Sequence, residues 1–68
     1  MSTGRVKWFD ATKGYGFIVP DDASKDMFVH ITAVQKAGYT ILVPGARVSY
    51  DVRPDQEGNP TAESLKIG

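Results

Sequence analysis

The chain has 68 residues, no cysteine and a formal net charge of zero at pH 7. This length is near the lower limit for a domain that folds alone, so we expect a single domain over residues 1–68 with one small core. The absence of cysteine excludes disulfides and thiolate metal sites, and no segment approaches the roughly 18 apolar residues of a membrane-spanning helix, so the sequence predicts a soluble cytoplasmic protein.

The first half of the chain is predicted to form three strands. Residues 5–9, RVKWF, combine β-branched and aromatic side chains and form the first. The turn residues 10–14 precede a second strand over residues 15–19. Residues 20–25 are rich in proline, aspartate and serine, which is typical of a turn, and a third strand follows over residues 27–31.

The second half begins with one or two predicted helical turns, since Thr32 is a common capping residue and Gly38 a common helix end. The turn Pro44-Gly45 precedes a fourth strand over residues 47–52, and a polar loop separates this from a fifth strand over residues 61–67. Five short strands without a ten-residue amphipathic stretch predict an all-β fold, either a small barrel or a sandwich.

Side-chain alternation predicts which strand faces are buried. Tyr15 and Phe17 share one face of the second strand, and Phe28 and His30 share one face of the third. Both strands are also apolar on the opposite face, and no helix is long enough to cover both, so one face must meet solvent. We predict that the aromatic face is exposed. The predicted interior comprises Val6, Ile18, Val29, Val48, Tyr50, Val52 and Leu65.

Exposed rings beside lysines suit single-stranded nucleic acid. The first 20 residues contain three basic side chains and one acidic one, and Lys7 and Lys13 flank the aromatic residues. Every nucleobase has a π-face, so stacking on protein rings works with little dependence on base sequence. Lysines at the edge can neutralise phosphates. The pattern therefore predicts binding of single-stranded RNA and DNA.

Several motifs resemble the bacterial cold-shock protein family. They are KGYGFI at residues 13–18, MFVHI at residues 27–31, the opening GRVKWFD, the block KDMFVHITAVQKAGY, the strand PGARVSYDV and the closing GNPTAESL. The resemblance implies a five-stranded antiparallel oligonucleotide-binding (OB-fold) barrel without a cofactor. It also implies low-specificity binding of single strands, and action as an RNA chaperone, a transcription antiterminator or a translational regulator in cold or stress response.

The resemblance also implies which residues bind. The family's base-stacking and backbone-contacting positions match Lys7, Trp8, Lys13, Tyr15, Phe17, Phe28 and His30, and secondary contact positions match Phe9 and Tyr39. Three departures predict weaker or more selective binding than in a typical member. Asp10 stands where the family usually has asparagine, Ile31 where many members have an exposed phenylalanine, and the loop DQEGNP is acidic.

Other functions fit the sequence less well. His30 has no cysteine partner or evident nucleophile, so we do not expect an enzyme. Asp22, Ser24 and Asp26 have the alternate spacing of a calcium loop but lack its turn glycine and terminal glutamate, and we expect no metal site. A barrel that binds a proline-rich peptide remains an alternative. We expect a monomer, with a dimer as the other possibility.

Overall fold

The computed structural model describes residues 2–22 and 25–68, which form five strands and one short helix. The elements are β1 (Ser2–Asp10), β2 (Tyr15–Pro20), β3 (Met27–His30), α1 (Ile31–Lys36), β4 (Arg47–Pro54) and β5 (Pro60–Ile67). They close into a barrel in the order β1-β2-β3-β5-β4. The all-β barrel predicted from the sequence is confirmed.

The barrel is antiparallel except for one pair of neighbouring strands. β3 and β5 run in the same direction and pair at Phe28 and Thr61, while the other four neighbouring pairs are antiparallel. The reason is geometric. A closed ring of five strands has an odd number of members, so directions cannot alternate all the way around, and at least one pair must be parallel.

The predicted core is largely confirmed. The residues Val6, Ile18, Val29, Val48, Tyr50 and Leu65 are all buried. Four further residues are buried that were not predicted: Ala33 and Val34 of α1, which packs against β3 and β5, and Leu42 and Ala62. Burial raises the pKa of the Tyr50 hydroxyl above its ordinary value, and the nearby charges of Asp22 and Asp21 raise it further.

The assignment of Val52 to the core was wrong, because its side chain is 47% exposed. The register between β4 and β5 shifts between Ser49 and Asp51, opposite Ser64. Ser64 has a positive φ of 54°, which a non-glycine residue rarely adopts, and marks a β-bulge. The bulge lets Ala62 and Leu65, three residues apart, both point inward. It lies in β5 and leaves the alternation of β4 intact. Val52 is exposed because it lies near the end of β4, where the last three residues are all exposed.

The helix begins two residues earlier than a cap at Thr32 would place it. His30, not Thr32, is the N-cap: its backbone is extended and its Nδ1 accepts a hydrogen bond from the Thr32 backbone N–H at 3.2 Å. At the other end Gly38 has a φ of 91°, and its N–H donates to the carbonyl of Gln35. Tyr39 N–H donates to the carbonyl of Val34, so the helix ends in a Schellman motif.

Two sequence predictions involve residues outside the described ranges. Ala23 and Ser24 belong to the predicted turn over residues 20–25, and Ser24 belongs to the rejected calcium loop. Among residues 2–22 and 25–68, no helix is long and apolar enough to cross a membrane. Within the same ranges, no group of three or more histidine, cysteine, aspartate or glutamate side chains could hold a metal ion.

Candidate nucleic-acid interface

Three aromatic side chains form a row across the outer surface of the barrel. Trp8 of β1 pairs with Phe17 of β2, and Phe17 pairs with Phe28 of β3. The ring centroids lie 5.3 Å apart between Trp8 and Phe17 and 5.8 Å apart between Phe17 and Phe28. The row continues to Thr61 of β5, which pairs with Phe28. Neighbouring rings therefore present a continuous surface about three strands wide.

A bulge in β1 is required to place Trp8 in this row. The β1–β2 register shifts between Val6 and Trp8, so Lys7 is the extra residue. Without the shift, Trp8 would point inward like Val6, which is two residues away and buried. With the shift, Trp8 lies on the outer face with Phe17, and Phe9 takes the inward position.

Two further rings complete the surface. Tyr15 and His30 pair with each other across β2 and β3. The Tyr15 ring is stacked on Phe28 with centroids 5.7 Å apart and planes inclined by 24°, and it lies 5.6 Å from Trp8. The His30 ring lies 6.4 Å from Phe28. We call this surface the ring face; it comprises Trp8, Tyr15, Phe17, Phe28 and His30.

The ring face remains accessible to solvent. Its first four members are half-buried and His30 is exposed, whereas the fully buried aromatic side chain is Tyr50 in the interior. An apolar patch of this kind on so small a domain normally marks a binding surface. The ring contacts hold the side chains in fixed positions, because each ring is supported by its neighbours, while their outer surfaces stay free for a ligand.

The cap on α1 fixes how His30 presents its ring. The Thr32 backbone N–H donates to Nδ1, so Nδ1 carries no proton in this arrangement, and the Thr32 hydroxyl lies 3.0 Å away. In a neutral imidazole the proton then resides on Nε2, which is a hydrogen-bond donor. His30 therefore combines a stacking surface with a donor at its outer edge.

The lysines near the ring face differ in their surroundings. Lys7 Nζ forms an ion pair with Asp26 at 2.9 Å, and both side chains are well exposed. Lys13 is exposed in the β1–β2 turn. Asp10 closes that turn, since its Oδ1 accepts hydrogen bonds from the backbone N–H groups of Thr12 and Lys13. Asp10 thus has a structural role that the sequence analysis did not identify.

Phe9 and Tyr39 are not brought together with the other predicted site residues. Both are partly buried and pack against the core. The Tyr39 hydroxyl accepts a hydrogen bond from the backbone N–H of Ile67 at 3.2 Å. Their assignment as secondary contacts depends on the resemblance alone, and the structure adds no geometric support for it.

The two glycines of KGYGFI serve the backbone. Gly16 is buried and faces inward, so it forms no part of the surface between the rings. A Cβ there would lie 2.7 Å from Cα of Phe9 and would also overlap the carbonyl oxygen of Trp8. Gly16 thus makes room for the bulged strand. Gly14 has a φ of 84° and ends the turn, its N–H donating to the carbonyl of Asp10.

Comparison with known proteins assigns the chain to a family. The model of the "Cold-shock" DNA-binding domain matches residues 2–67. The chain belongs to this family. It is similar to a probable cold shock protein, y4cH, of Sinorhizobium fredii, with 52% identity over 67 residues that cover 97% of each chain. The cold shock protein CspA of Rhizobium meliloti is 51% identical over the same coverage.

A more distant similarity supports the same assignment. The cold shock-like protein CspE of Escherichia coli is 42% identical over 64 residues, which cover 94% of this chain and 93% of that protein. The resemblance stated from the motifs is thus confirmed, and the OB-fold barrel agrees with it. This cold-shock domain is therefore a nucleic-acid-binding domain, and the ring face is its candidate interface.

The side chains at the β5 end of the ring row were not predicted from the sequence. A pocket there is lined by Phe28 and His30 together with Gln56, Thr61, Ala62 and Glu63. Nothing in the local sequence places residues 56–63 beside residues 28–30, because the link is the parallel pairing of β3 with β5. A prediction of strand order would have been needed to find it.

Proposed function

We propose that this domain binds single-stranded RNA and single-stranded DNA by stacking unpaired bases on the ring face. The observation that carries the proposal is the row of Trp8, Phe17 and Phe28, which the strand register places side by side on the outer face. Each stacked base contributes about 1–3 kcal/mol in proteins of this type. Tyr15 and His30 provide a second row beside the first.

Base faces, not base edges, are the main features recognised in this proposal. All four bases have a π-face, so affinity depends weakly on sequence. A duplex buries the faces of its bases in the stack and offers only edges and phosphates. We therefore propose a strong preference for single strands over duplexes, and the same surface serves RNA and DNA.

Phosphate contacts contribute less than stacking in the proposed complex. The cations beside the ring face are Lys7 and Lys13, and a phosphate at Lys7 must compete with the carboxylate of Asp26 at 2.9 Å. We expect the logarithm of the binding constant to fall linearly with the logarithm of the salt concentration. Each neutralised phosphate contributes about −0.7 to that slope for a single strand, and we expect about two to four phosphates to be neutralised. A slope of about −6 or steeper would contradict this distribution of the binding energy.

Binding of this kind is sufficient for RNA chaperoning in the cytoplasm. A protein that binds only unpaired strands shifts the pairing equilibrium toward open strands by mass action, without ATP or a catalytic group. Antitermination and translational regulation would follow where the opened structure is a terminator or a sequestered start site. We propose that the domain acts as a monomer, since one copy carries the complete ring face.

The test is a fluorescence titration of Trp8, the single tryptophan of the chain. The titrants are a short pyrimidine-rich DNA strand, the matching RNA and the corresponding duplex. Saturable quenching by both single strands, with little response to duplex, is expected. Absence of quenching by either single strand at tens of micromolar would contradict the proposal. A proline-rich peptide that quenches Trp8 in its place would favour a peptide-binding barrel.

A further inference from the structure

The pocket at the β5 end of the ring row differs chemically from the Trp8 end. Its floor includes Phe28 and Ala62, and its rim includes His30, Gln56, Thr61 and Glu63. Of the described residues that line it, none is lysine or arginine. At the opposite end of the row, Lys7 and Lys13 flank the rings. A phosphate is therefore favoured at the Trp8 end, while the pocket suits an uncharged group.

Glu63 and Thr61 supply hydrogen-bond acceptors at the rim of this pocket. Glu63 is half-buried and makes no hydrogen bond or ion pair with any residue that the structure describes. The Thr61 hydroxyl donates to the carbonyl of Arg53 at 3.0 Å, so its proton is already engaged. The free carboxylate of Glu63 is thus the polar group at the rim best able to receive a donor from a ligand.

The loop that forms one wall of the pocket is held in a fixed shape. Asp55 Oδ1 accepts hydrogen bonds from the backbone N–H groups of Glu57 and Asn59 at 2.8 and 2.9 Å. The backbone N–H of Asp55 donates to the carbonyl of Asn59, and that of Gly58 donates to the carbonyl of Asp55. The wall is therefore preformed, and a ligand need not order it on binding.

Together, these features identify the pocket as a subsite for one base of the bound strand. We propose that a base continuing the row beyond Phe28 enters this pocket and that Glu63 selects an amino-bearing base there. This inference rests on the proposed function, because the strand must first lie on the ring face. Glu63 acts as a specificity-determining residue at one position, while the remaining positions are read only through stacking.

The chemistry of the base edges explains the selection. Cytosine presents an exocyclic amino group that can donate to a carboxylate. Uracil presents a carbonyl oxygen at the same position, and its single ring N–H lies between two carbonyl oxygens that a carboxylate repels. The two bases have the same ring size, so their stacking on Phe28 is closely matched. Glu63 therefore favours cytosine over uracil at this subsite by about fivefold, the low end for a base-specific contact.

The experiment scans one cytosine through a deoxyuridine heptamer and measures the dissociation constant at each position by quenching of Trp8. For the unmodified protein, we expect cytosine to tighten binding about fivefold at one position near one end, and by less than about twofold elsewhere. In Glu63→Gln the positional preference should disappear, because glutamine can donate to the uracil carbonyl as well as accept from the cytosine amino group.

The matched control is Glu57→Gln, which removes the same charge near the same end of the row. Glu57 does not line this pocket, so this variant should keep the positional preference. If all heptamers bind the unmodified protein with the same dissociation constant at every cytosine position, the role of Glu63 is overturned and the proposed function stands. Equal loss of preference in both variants would also overturn it. Absence of binding by every heptamer would overturn the proposed function itself.

Discussion

Replacing Phe17 by alanine removes the central ring of the row that we propose to bind bases. Phe17 lies between Trp8 and Phe28, with centroid distances of 5.3 and 5.8 Å. Loss of one stacked base costs about 1–3 kcal/mol, and about 1.4 kcal/mol corresponds to a factor of ten in affinity. We expect single strands to bind at least tenfold more weakly, because the neighbouring rings also lose their support.

The same substitution leaves the interior of the barrel filled. Phe17 is half-buried on the outer face, so its truncation opens no cavity among the core residues. The loss of stability comes from the ring contacts, each worth about 0.5–1.5 kcal/mol. Circular dichroism at the temperature of the binding assay would verify that Phe17→Ala remains folded.

The assay for Phe17→Ala is fluorescence anisotropy of a labelled single strand, since the variant alters the surroundings of Trp8 and hence its emission. Val19→Ala is the matched control: Val19 is on the same strand and face and is 40% exposed, but lies outside the ring face. We expect its affinity to stay within about twofold of the unmodified protein. Equal affinities for folded Phe17→Ala and Val19→Ala would refute the proposed role of the row.

Three further predictions concern single positions. Ile31→Phe adds a ring beside the ring face and should tighten single-strand binding about fivefold or more in the anisotropy assay; unchanged affinity would contradict the view that a stacking platform is missing. Gly16→Ala should lower the free energy of unfolding by about 2–3 kcal/mol in urea, because its Cβ would lie 2.7 Å from Cα of Phe9. Burial and the nearby carboxylates raise the pKa of Tyr50 in the folded state. Stability should therefore decline as the pH rises above about 10, because the unfolded state loses that proton first. In melting curves, the melting temperature of Tyr50→Phe should fall less over the same pH range than that of the unmodified protein.

Strand positions and most of the core could be predicted from the sequence because they depend on local patterns. Val6, Val29 and Val48 each lie between polar or aromatic residues, and turn residues separate the strands. The wrong assignment, Val52, lies near the exposed end of β4, and alternation itself is interrupted by an extra residue in β5. The bulge at Ser64 depends on the pairing of β5 with β4, and no residue type in that part of the sequence predicts it.

The candidate site could be predicted in outline for the same reason. Tyr15, Phe17, Phe28 and His30 share one face by simple parity on two adjacent strands. Trp8 joins them only because Lys7 is bulged, which parity alone would not give. The resemblance to the family supplied that residue. Conversely, it also suggested Phe9, which the same bulge turns toward the core.

The His30 cap shows how the site and the fold depend on each other. Its Nδ1 accepts a hydrogen bond from the Thr32 backbone N–H, so the same residue ends β3 and caps the start of α1. Sequence reasoning favoured threonine as the cap because hydroxyl side chains are the commoner choice. A histidine in this position stabilises the helix start while leaving its ring face and its Nε2 proton available to a ligand.

The energies of the ring face limit what a chaperone of this kind can open. Three bases stacked on Trp8, Phe17 and Phe28 contribute about 3–9 kcal/mol in total. Each step of a duplex holds about 1.4 kcal/mol of stacking. Since the gain per base and the cost per opened pair are of the same size, one copy cannot open a long helix. In the proposed role the domain captures strands that open spontaneously, and its effect grows with its concentration.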